Sequence, residues 1–132
     1  MLHAYHHGNT ALYEIRIERV FHAAHALKLP DGSMEPMHAH DWQVFVHVIS
    51  DQLNAMETVM DFHELQRIVD SAIVPLDQTT LNDEPAFATV NPSAERVAEH
   101  LYQAIAAQLS DEVKLNRVTV TEAPGCRASY WQ

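Results

Sequence analysis

Two runs of alternating residues near the start of the chain constrain its fold most. From Tyr13 to Phe21, apolar residues alternate with charged ones. From about His40 to Ser50, a second run places Val44, Val46 and Val48 at every other position. Because successive side chains of a strand point to opposite faces, both runs predict half-buried strands.

Two amphipathic helices follow the strands. Asp61 as N-cap, with Glu64 three residues later, is typical of a helix start, and Pro75 ends this helix. Asn91-Pro92 forms an N-cap and N1 pair that begins the second helix. The apolar face of the second helix contains Val97, Leu101, Ile105 and Leu109.

Two more strands are predicted at the end of the chain, over Val113–Thr121 and Ala128–Trp131. The order β-β-α-α-β-β predicts an α+β domain, with a four-stranded antiparallel sheet and both helices on one face. The other face must then contact another chain or form a ligand pocket. We expect one domain over residues 1–132, with residues 1–10, including His6-His7, as a loose arm.

Composition excludes several classes of partner. Eight Lys and Arg against eighteen Asp and Glu give a formal charge of -10, which argues against nucleic-acid binding. Apolar runs are too short to span a membrane, and no signal-peptide pattern is present. With Cys126 as the single cysteine, we expect a protein of the reducing cytoplasm.

Histidines spaced for metal binding occur where the predicted strands begin and end. His38 and His40 are two residues apart in an extended segment, so both imidazoles point to the same face. His25 ends the preceding strand. Three histidines with an open fourth position are typical of catalytic zinc. His22 competes with His25, but in an extended segment the two face opposite sides, so only one belongs to the site.

A set of motifs resembles the 6-pyruvoyltetrahydropterin synthase and 6-carboxytetrahydropterin synthase family. In chain order they are Phe21-x-Ala23-Ala24-His25, His38-x-His40, Val59-Met60-Asp61-Phe62, Leu76-Asp77-x-x-x-Leu81-Asn82-Asp83, Pro92-Ser93-Ala94-Glu95 and Glu122. The resemblance implies the tunnelling fold, in which subunits join their sheets into barrels, and a homo-oligomer that is a trimer or hexamer. It also implies Zn2+ on His25, His38 and His40, and a pterin substrate held by Glu122.

The chemistry of a carboxylate supports the role that the resemblance implies for Glu122. A pterin presents a ring N–H and an exocyclic amino group side by side. One carboxylate can accept both hydrogen bonds, and this bidentate contact selects that edge of the ring.

The chain departs from the family at the position of the catalytic cysteine, where Met34 stands. Glu35, three residues before His38, resembles a branch in which glutamate replaces the cysteine. That branch cuts the side chain of dihydroneopterin triphosphate to leave 6-hydroxymethyl-dihydropterin for folate synthesis. A carboxylate near zinc can act as the general base on a hydroxyl group.

A second departure is Gln78, where the family has a histidine that the preceding aspartate, here Asp77, orients for proton transfer. A glutamine amide does not take up a proton at physiological pH. His63, early in the first helix, could substitute for the missing imidazole, although a position on the helix surface is the alternative.

Three functions are therefore open. The first is a zinc-dependent lyase of the retro-aldol type, acting on dihydroneopterin triphosphate or a related dihydropterin, with Glu35 as base and Asp77 in support. The second is a paralogue that binds zinc and pterin without catalysis, favoured by the loss of both the cysteine and the histidine. The third is a 6-carboxytetrahydropterin synthase of queuosine biosynthesis, which Met34 disfavours.

Overall fold

The first two strands form the longest pairing in the protein. In the computed structural model, which describes residues 11–132, β1 spans Tyr13–His25 and β2 spans His38–Ser50. They run antiparallel, from Tyr13 opposite Ser50 to His25 opposite His38. The expected arm, residues 1–10 with His6-His7, lies outside the described residues.

The remaining elements follow in chain order. They are α1 (Phe62–Ile73), β3 (Thr79–Thr80), α2 (Ala94–Ala106), β4 (Lys114–Ala123) and β5 (Cys126–Tyr130), with short 3-10 turns at Leu81–Asp83 and Pro85–Phe87. No helix in residues 11–132 is long and apolar enough to span a bilayer.

The sheet has five strands in the order β3-β1-β2-β4-β5, so the prediction of four antiparallel strands was wrong. The additional strand, β3, pairs parallel to β1, with Ala23 opposite Thr79 and Ala24 opposite Thr80. Two residues are too few to show alternation, and their extended conformation depends on an edge of β1 that is distant in the sequence.

Both helices pack against one face of the sheet. Their buried residues form a single apolar cluster with the alternate residues of the strands, which include Ile17, Phe21, Val44, Val46, Val48, Val118 and Val120. Trp42 is fully buried in this cluster, stacked on Phe21 with ring centroids 5.9 Å apart. Its Nε1–H donates to the carbonyl of Ala23 at 3.2 Å, which ties β2 to β1 close to the end of the sheet.

The start of α1 agrees with the sequence, since Asp61 is its N-cap and accepts the backbone N–H of His63. The start of α2 does not. Its N-cap is Ser93, whose side chain accepts the N–H of Arg96, rather than Asn91. The Asn91 side chain bonds instead to the backbone of Lys28, so the helix begins at the next residue able to cap it.

The opposite, outer face of the sheet carries exposed and polar side chains. Val20 is 60% exposed there. Phe45 lies between two arginines, with the guanidinium carbons of Arg16 and Arg127 5.4 and 5.9 Å from its ring centroid. Within residues 11–132 no helix packs on this face, although it contains large side chains.

Candidate metal centre

Four potential metal ligands converge at one end of the sheet. His25 is the last residue of β1, His38 and His40 begin β2, and Glu122 lies near the end of β4. Each offers one ligand atom, and these atoms lie within 4.8 Å of one another. The imidazole ring of His38 is 4.6 Å from that of His25 and 4.7 Å from that of His40, measured between centroids.

Strand register explains why these histidines meet. His25 pairs with His38, and His40 pairs with Ala23, two residues before His25 on the same face. His40 is also two residues before the buried Trp42, so the imidazoles extend the row of core side chains. His22, three residues before His25 on β1, faces the outer side of the sheet and is not in the ligand group.

Hydrogen bonds to backbone carbonyls orient two of the imidazoles. His25 Nδ1 lies 2.8 Å from the carbonyl oxygen of Pro92, and His38 Nδ1 lies 2.9 Å from that of Pro36. A carbonyl can only accept, so each Nδ1 carries the proton and each Nε2 keeps its lone pair. Such second contacts are common around histidines that bind metal, since they fix the tautomer.

The Nε2 atoms of His25 and His40 are buried and have no hydrogen-bond partner among the described residues. Yet His25 Nε2 lies 3.0 Å from Oε1 of Glu122. The lone pair of a neutral imidazole would face a carboxylate oxygen there, which is repulsive unless a cation or a second proton lies between them. Three imidazoles with an open fourth position form a donor set that suits zinc, and the adjacent carboxylate of Glu122 favours a cation there. The residues present therefore fit a bound Zn2+.

Burial favours the neutral form of His40. It lowers the pKa of this imidazole below the usual 6.5, while the carboxylate of Glu122 opposes the shift and His38 and His25 add to it. A histidine must be neutral to bind a metal through nitrogen. The site is therefore prepared for a cation at neutral pH.

Glu35 lies in the loop between β1 and β2 but is not part of the ligand group. Its Oε1 accepts the backbone N–H of Leu27 at 2.9 Å, and its own N–H donates to the carbonyl of Leu27 at 3.0 Å. Glu35 thus sits opposite a residue two positions beyond His25. One carboxylate oxygen is used for this contact, and Oε2 is left for another proton.

Asp77 and Gln78 lie beside β1 on the chain leading into β3. Oδ1 of Asp77 accepts the backbone N–H of His22 at 2.9 Å, and the N–H of Gln78 donates to the carbonyl of His22 at 2.6 Å. Both side chains are exposed, and neither is in the ligand group. His63 is 92% exposed on α1, with Nδ1 3.5 Å from Asp61, so it lies on the helix surface.

Two asparagines hold the segment that follows His25. The sequence interpretation gave Asn82 no role, and it gave Asn91 the role of an N-cap, which Ser93 has instead. Asn82 accepts the N–H of Ala26 at 3.0 Å and donates to its carbonyl at 2.7 Å. Asn91 likewise accepts the N–H of Lys28 at 2.7 Å and donates to its carbonyl at 3.0 Å. Both occur in the motifs quoted above or beside them, but their partners are more than 50 residues away. Only the folded chain shows these contacts.

A cavity of about 630 Å³ adjoins the ligand group on the outer side of the sheet. Its lining includes Val20, His40, Asp41, Gln43, Thr121 and Glu122. The hydroxyl of Thr121 is buried and has no hydrogen-bond partner within residues 11–132. A ligand in this cavity would meet a carboxylate, a free hydroxyl and the edge of the histidine cluster together.

Comparison of the sequence with known proteins identifies one family and two relatives. A sequence model of the family described as 6-pyruvoyl tetrahydropterin synthase matches residues 14–132. Dihydroneopterin monophosphate aldolase of Pyrococcus furiosus is 32% identical over 102 residues, covering 77% of this chain and 82% of that protein. A putative 6-carboxy-5,6,7,8-tetrahydropterin synthase of Archaeoglobus fulgidus is 29% identical over 108 residues, covering 82% and 86%.

Solved structures share the fold. The 6-pyruvoyl tetrahydropterin synthase of Caenorhabditis elegans has a TM-score of 0.82 at 19% identity, covering 93% of this chain and 97% of that chain. A Plasmodium vivax 6-pyruvoyltetrahydropterin synthase, in which a catalytic glutamate is replaced by alanine, has a TM-score of 0.77 at 16% identity, with coverage of 92% and 98%.

Proposed function

Because this chain belongs to the 6-pyruvoyl tetrahydropterin synthase family, we propose that it is a zinc-dependent lyase acting on the side chain of a dihydropterin. The reaction is a retro-aldol cleavage that leaves 6-hydroxymethyl-dihydropterin. The observation that carries this proposal is the convergence of His25, His38 and His40 beside Glu122, with ligand atoms within 4.8 Å. The adjoining cavity of about 630 Å³ is large enough for a small ligand.

The relative from Pyrococcus furiosus is named for a monophosphate substrate and aldolase chemistry. This supports dihydroneopterin monophosphate as the first substrate to test. Dihydroneopterin triphosphate is the second, since it is the substrate of the branch that Glu35 resembles.

His25, His38 and His40 would hold the zinc ion. The carbonyl contacts of His25 and His38 keep Nδ1 protonated in these two residues and leave Nε2 for the metal. Zinc bound there would act as a Lewis acid toward oxygen atoms of the substrate side chain. Burial of His25, which is 1% exposed, excludes bulk water from one side of the centre.

Glu122 would anchor the pterin ring. Its side chain is 30% exposed and lines the cavity, so one carboxylate can accept both N–H groups of the pterin edge. The same carboxylate lies 3.0 Å from His25 Nε2, so a ring bound by Glu122 would lie next to the proposed metal ligands.

Glu35 would act as the base that removes the proton of the substrate hydroxyl. Support comes from the Plasmodium vivax structure, in which a glutamate is described as a catalytic residue. The N–H of Leu27 holds Oε1, so the carboxylate has a fixed position two residues beyond His25 along the paired backbone. Asp77 supports the site through its hydrogen bond to the backbone of His22.

Purified protein, zinc and dihydroneopterin monophosphate should yield 6-hydroxymethyl-dihydropterin, detected by chromatography with fluorescence. Glu35→Gln should abolish turnover while zinc content and pterin binding stay at the wild-type level. Glu122→Gln should weaken pterin binding and leave zinc content unchanged. The control is Glu57→Gln, a change to another loop glutamate that lies outside the site. Tight pterin binding without turnover of dihydroneopterin monophosphate or triphosphate would refute the lyase function. It would support a paralogue that binds zinc and pterin without catalysis.

A 6-carboxytetrahydropterin synthase is the second candidate, favoured by the named relative from Archaeoglobus fulgidus. Met34 stands against it, because a thioether cannot act as a base. Product analysis with dihydroneopterin triphosphate separates the two functions, since only one of them leaves a carboxylate at the side-chain position.

We further propose that the protein forms a homo-oligomer, a trimer or a hexamer, through its open sheet. Support comes from the outer face of the sheet, where no helix among the described residues covers Val20 or Phe45. Sedimentation equilibrium measures the subunit number directly, and a monomer at micromolar concentration would contradict the proposal.

A further inference from the structure

The chain has an imidazole next to the position at which the family histidine is missing. Gln78 has the left-handed backbone φ of 61° and donates its N–H to the carbonyl of His22 at 2.6 Å. Asp77 accepts the N–H of the same residue at 2.9 Å. The Asp77-Gln78 pair is therefore bound to both the backbone N–H and the backbone carbonyl of His22.

The side chain of His22 has its own carboxylate partner. Its Nδ1 lies 2.9 Å from Oδ1 of Asp41, the residue opposite it in β2. A carboxylate accepts, so Nδ1 carries the proton and Nε2 is left to exchange protons with another group. His22 is 48% exposed and Asp41 is 77% exposed, so a ligand can reach the pair.

The pair lies beside the cavity that contains Glu122. Asp41 is part of the lining, and so is Val20, which precedes His22 by two residues on the same face of β1. The metal ligands His25 and His40 lie on the opposite face of the same two strands. At this end of the sheet, β1 and β2 thus carry the His22–Asp41 pair on one face and the candidate metal ligands on the other.

Retro-aldol cleavage requires two proton transfers. A base takes the proton of the hydroxyl on the carbon that leaves as an aldehyde, and the bond between the two side-chain carbons breaks. Its electron pair passes to the carbon that stays on the pterin ring, and an acid then delivers a proton to that carbon. No oxidant or reductant is needed. Glu35 is assigned the first transfer, and Gln78 has no proton to give for the second.

We propose that His22, positioned by Asp41, carries out this second proton transfer in place of the histidine that Gln78 replaces. This inference rests on the proposed function. Outside the metal group, residues 11–132 contain three other histidines. His63 is 92% exposed on α1, His47 is buried at 6% exposure, and His100 packs against Phe87. Only His22 is both paired with a carboxylate at hydrogen-bond distance and next to the cavity.

The test uses the zinc-loaded protein with dihydroneopterin monophosphate. His22→Gln should lower kcat by about 10²- to 10⁴-fold, the usual contribution of general acid–base catalysis, with little change in KM. Asp41→Asn should give a smaller loss of kcat because the imidazole remains but its orientation is lost. His63→Gln, a matched change on an exposed histidine, should leave kcat unchanged.

Rescue separates a proton donor from a structural residue. Free imidazole should restore part of the activity of His22→Gly. In the His22→Gln background, Gln78→His should also restore kcat, since histidine is among the residues that tolerate a left-handed backbone. Zinc content should be the same in all variants because His22 is exposed. Thermal melting should also be the same, except for a small decrease in His22→Gly, because glycine weakens the interior of a strand.

Wild-type kcat in His22→Gln would overturn the inference and leave the lyase function in place. A loss of kcat that neither imidazole nor Gln78→His restores would also overturn it. Absence of turnover in the wild-type protein would refute the proposed function, and the inference with it.

Discussion

Replacing Asn82 by alanine tests whether the segment after His25 is held by buried hydrogen bonds. The side-chain amide of Asn82 makes two bonds to the backbone of Ala26, at 3.0 and 2.7 Å. Ala26 directly follows the candidate metal ligand His25 and is 2% exposed. Asn91 makes the same two bonds to Lys28, which is exposed, so the chain contains its own matched control.

The expected cost differs because water can replace only one of the two asparagines. A buried backbone group left without a partner costs about 1–3 kcal/mol. Asn82→Ala leaves two such groups on Ala26, so we expect the free energy of unfolding to fall by about 2–6 kcal/mol. At Lys28 water takes over both bonds, and Asn91→Ala should cost about 1 kcal/mol.

The assay is urea unfolding followed by circular dichroism, with a chelator present so that metal binding does not contribute. An equal m-value in both variants shows that the unfolded states are comparable. Asn82→Ala should also reduce zinc affinity more than Asn91→Ala, since His25 is next to the released segment. Equal stability losses in the two variants would refute the reasoning, because burial would then not decide the cost.

Three further predictions concern the metal, the core and pH. Zinc at 100 times its dissociation constant should raise the free energy of unfolding by about 2.7 kcal/mol, and His38→Ala should abolish this increase in a thermal melt. Leu101→Ala, at a fully buried position of α2, should cost about 2–5 kcal/mol in urea, whereas Leu12→Ala, at a position that is 47% exposed, should cost little. Burial, followed by the Arg117 guanidinium, lowers the pKa of His47 below 6.5 against the opposing effect of Glu14. The unfolded state therefore binds more protons, and stability should fall as the pH drops below about 6.5, with a smaller slope in His47→Gln.

Local patterns are sufficient to predict most of the fold. Alternation in β1 and β2 and the helical spacing of α1 and α2 are properties of short segments, so they can be read without knowledge of the partners. The short strand β3 cannot be predicted in this way, because its two residues are extended only through pairing with Ala23 and Ala24. The start of α2 was misplaced for a similar reason, since Asn91 is used by Lys28 in another part of the fold.

The candidate site can likewise be predicted from the sequence only in part. The two-residue spacing of His38 and His40, with His25 at the end of the neighbouring strand, predicts imidazoles on one face, and the structure places their nitrogens together. The pairing of His22 with Asp41 depends on the register between β1 and β2, which the sequence alone does not determine. The same holds for the contact of Glu35 with Leu27, because the loop between the strands sets it.

The burial of Trp42 gives the protein an optical signal at its candidate metal centre. The indole ring lies edge-on to two of the ligand imidazoles, with centroids 4.9 Å from His25 and 5.8 Å from His40. Trp131, the second of two tryptophans, is 63% exposed, so a soluble quencher can suppress its emission while that of Trp42 persists. Fluorescence of the unlabelled chain can therefore follow occupancy of the histidine cluster in real time.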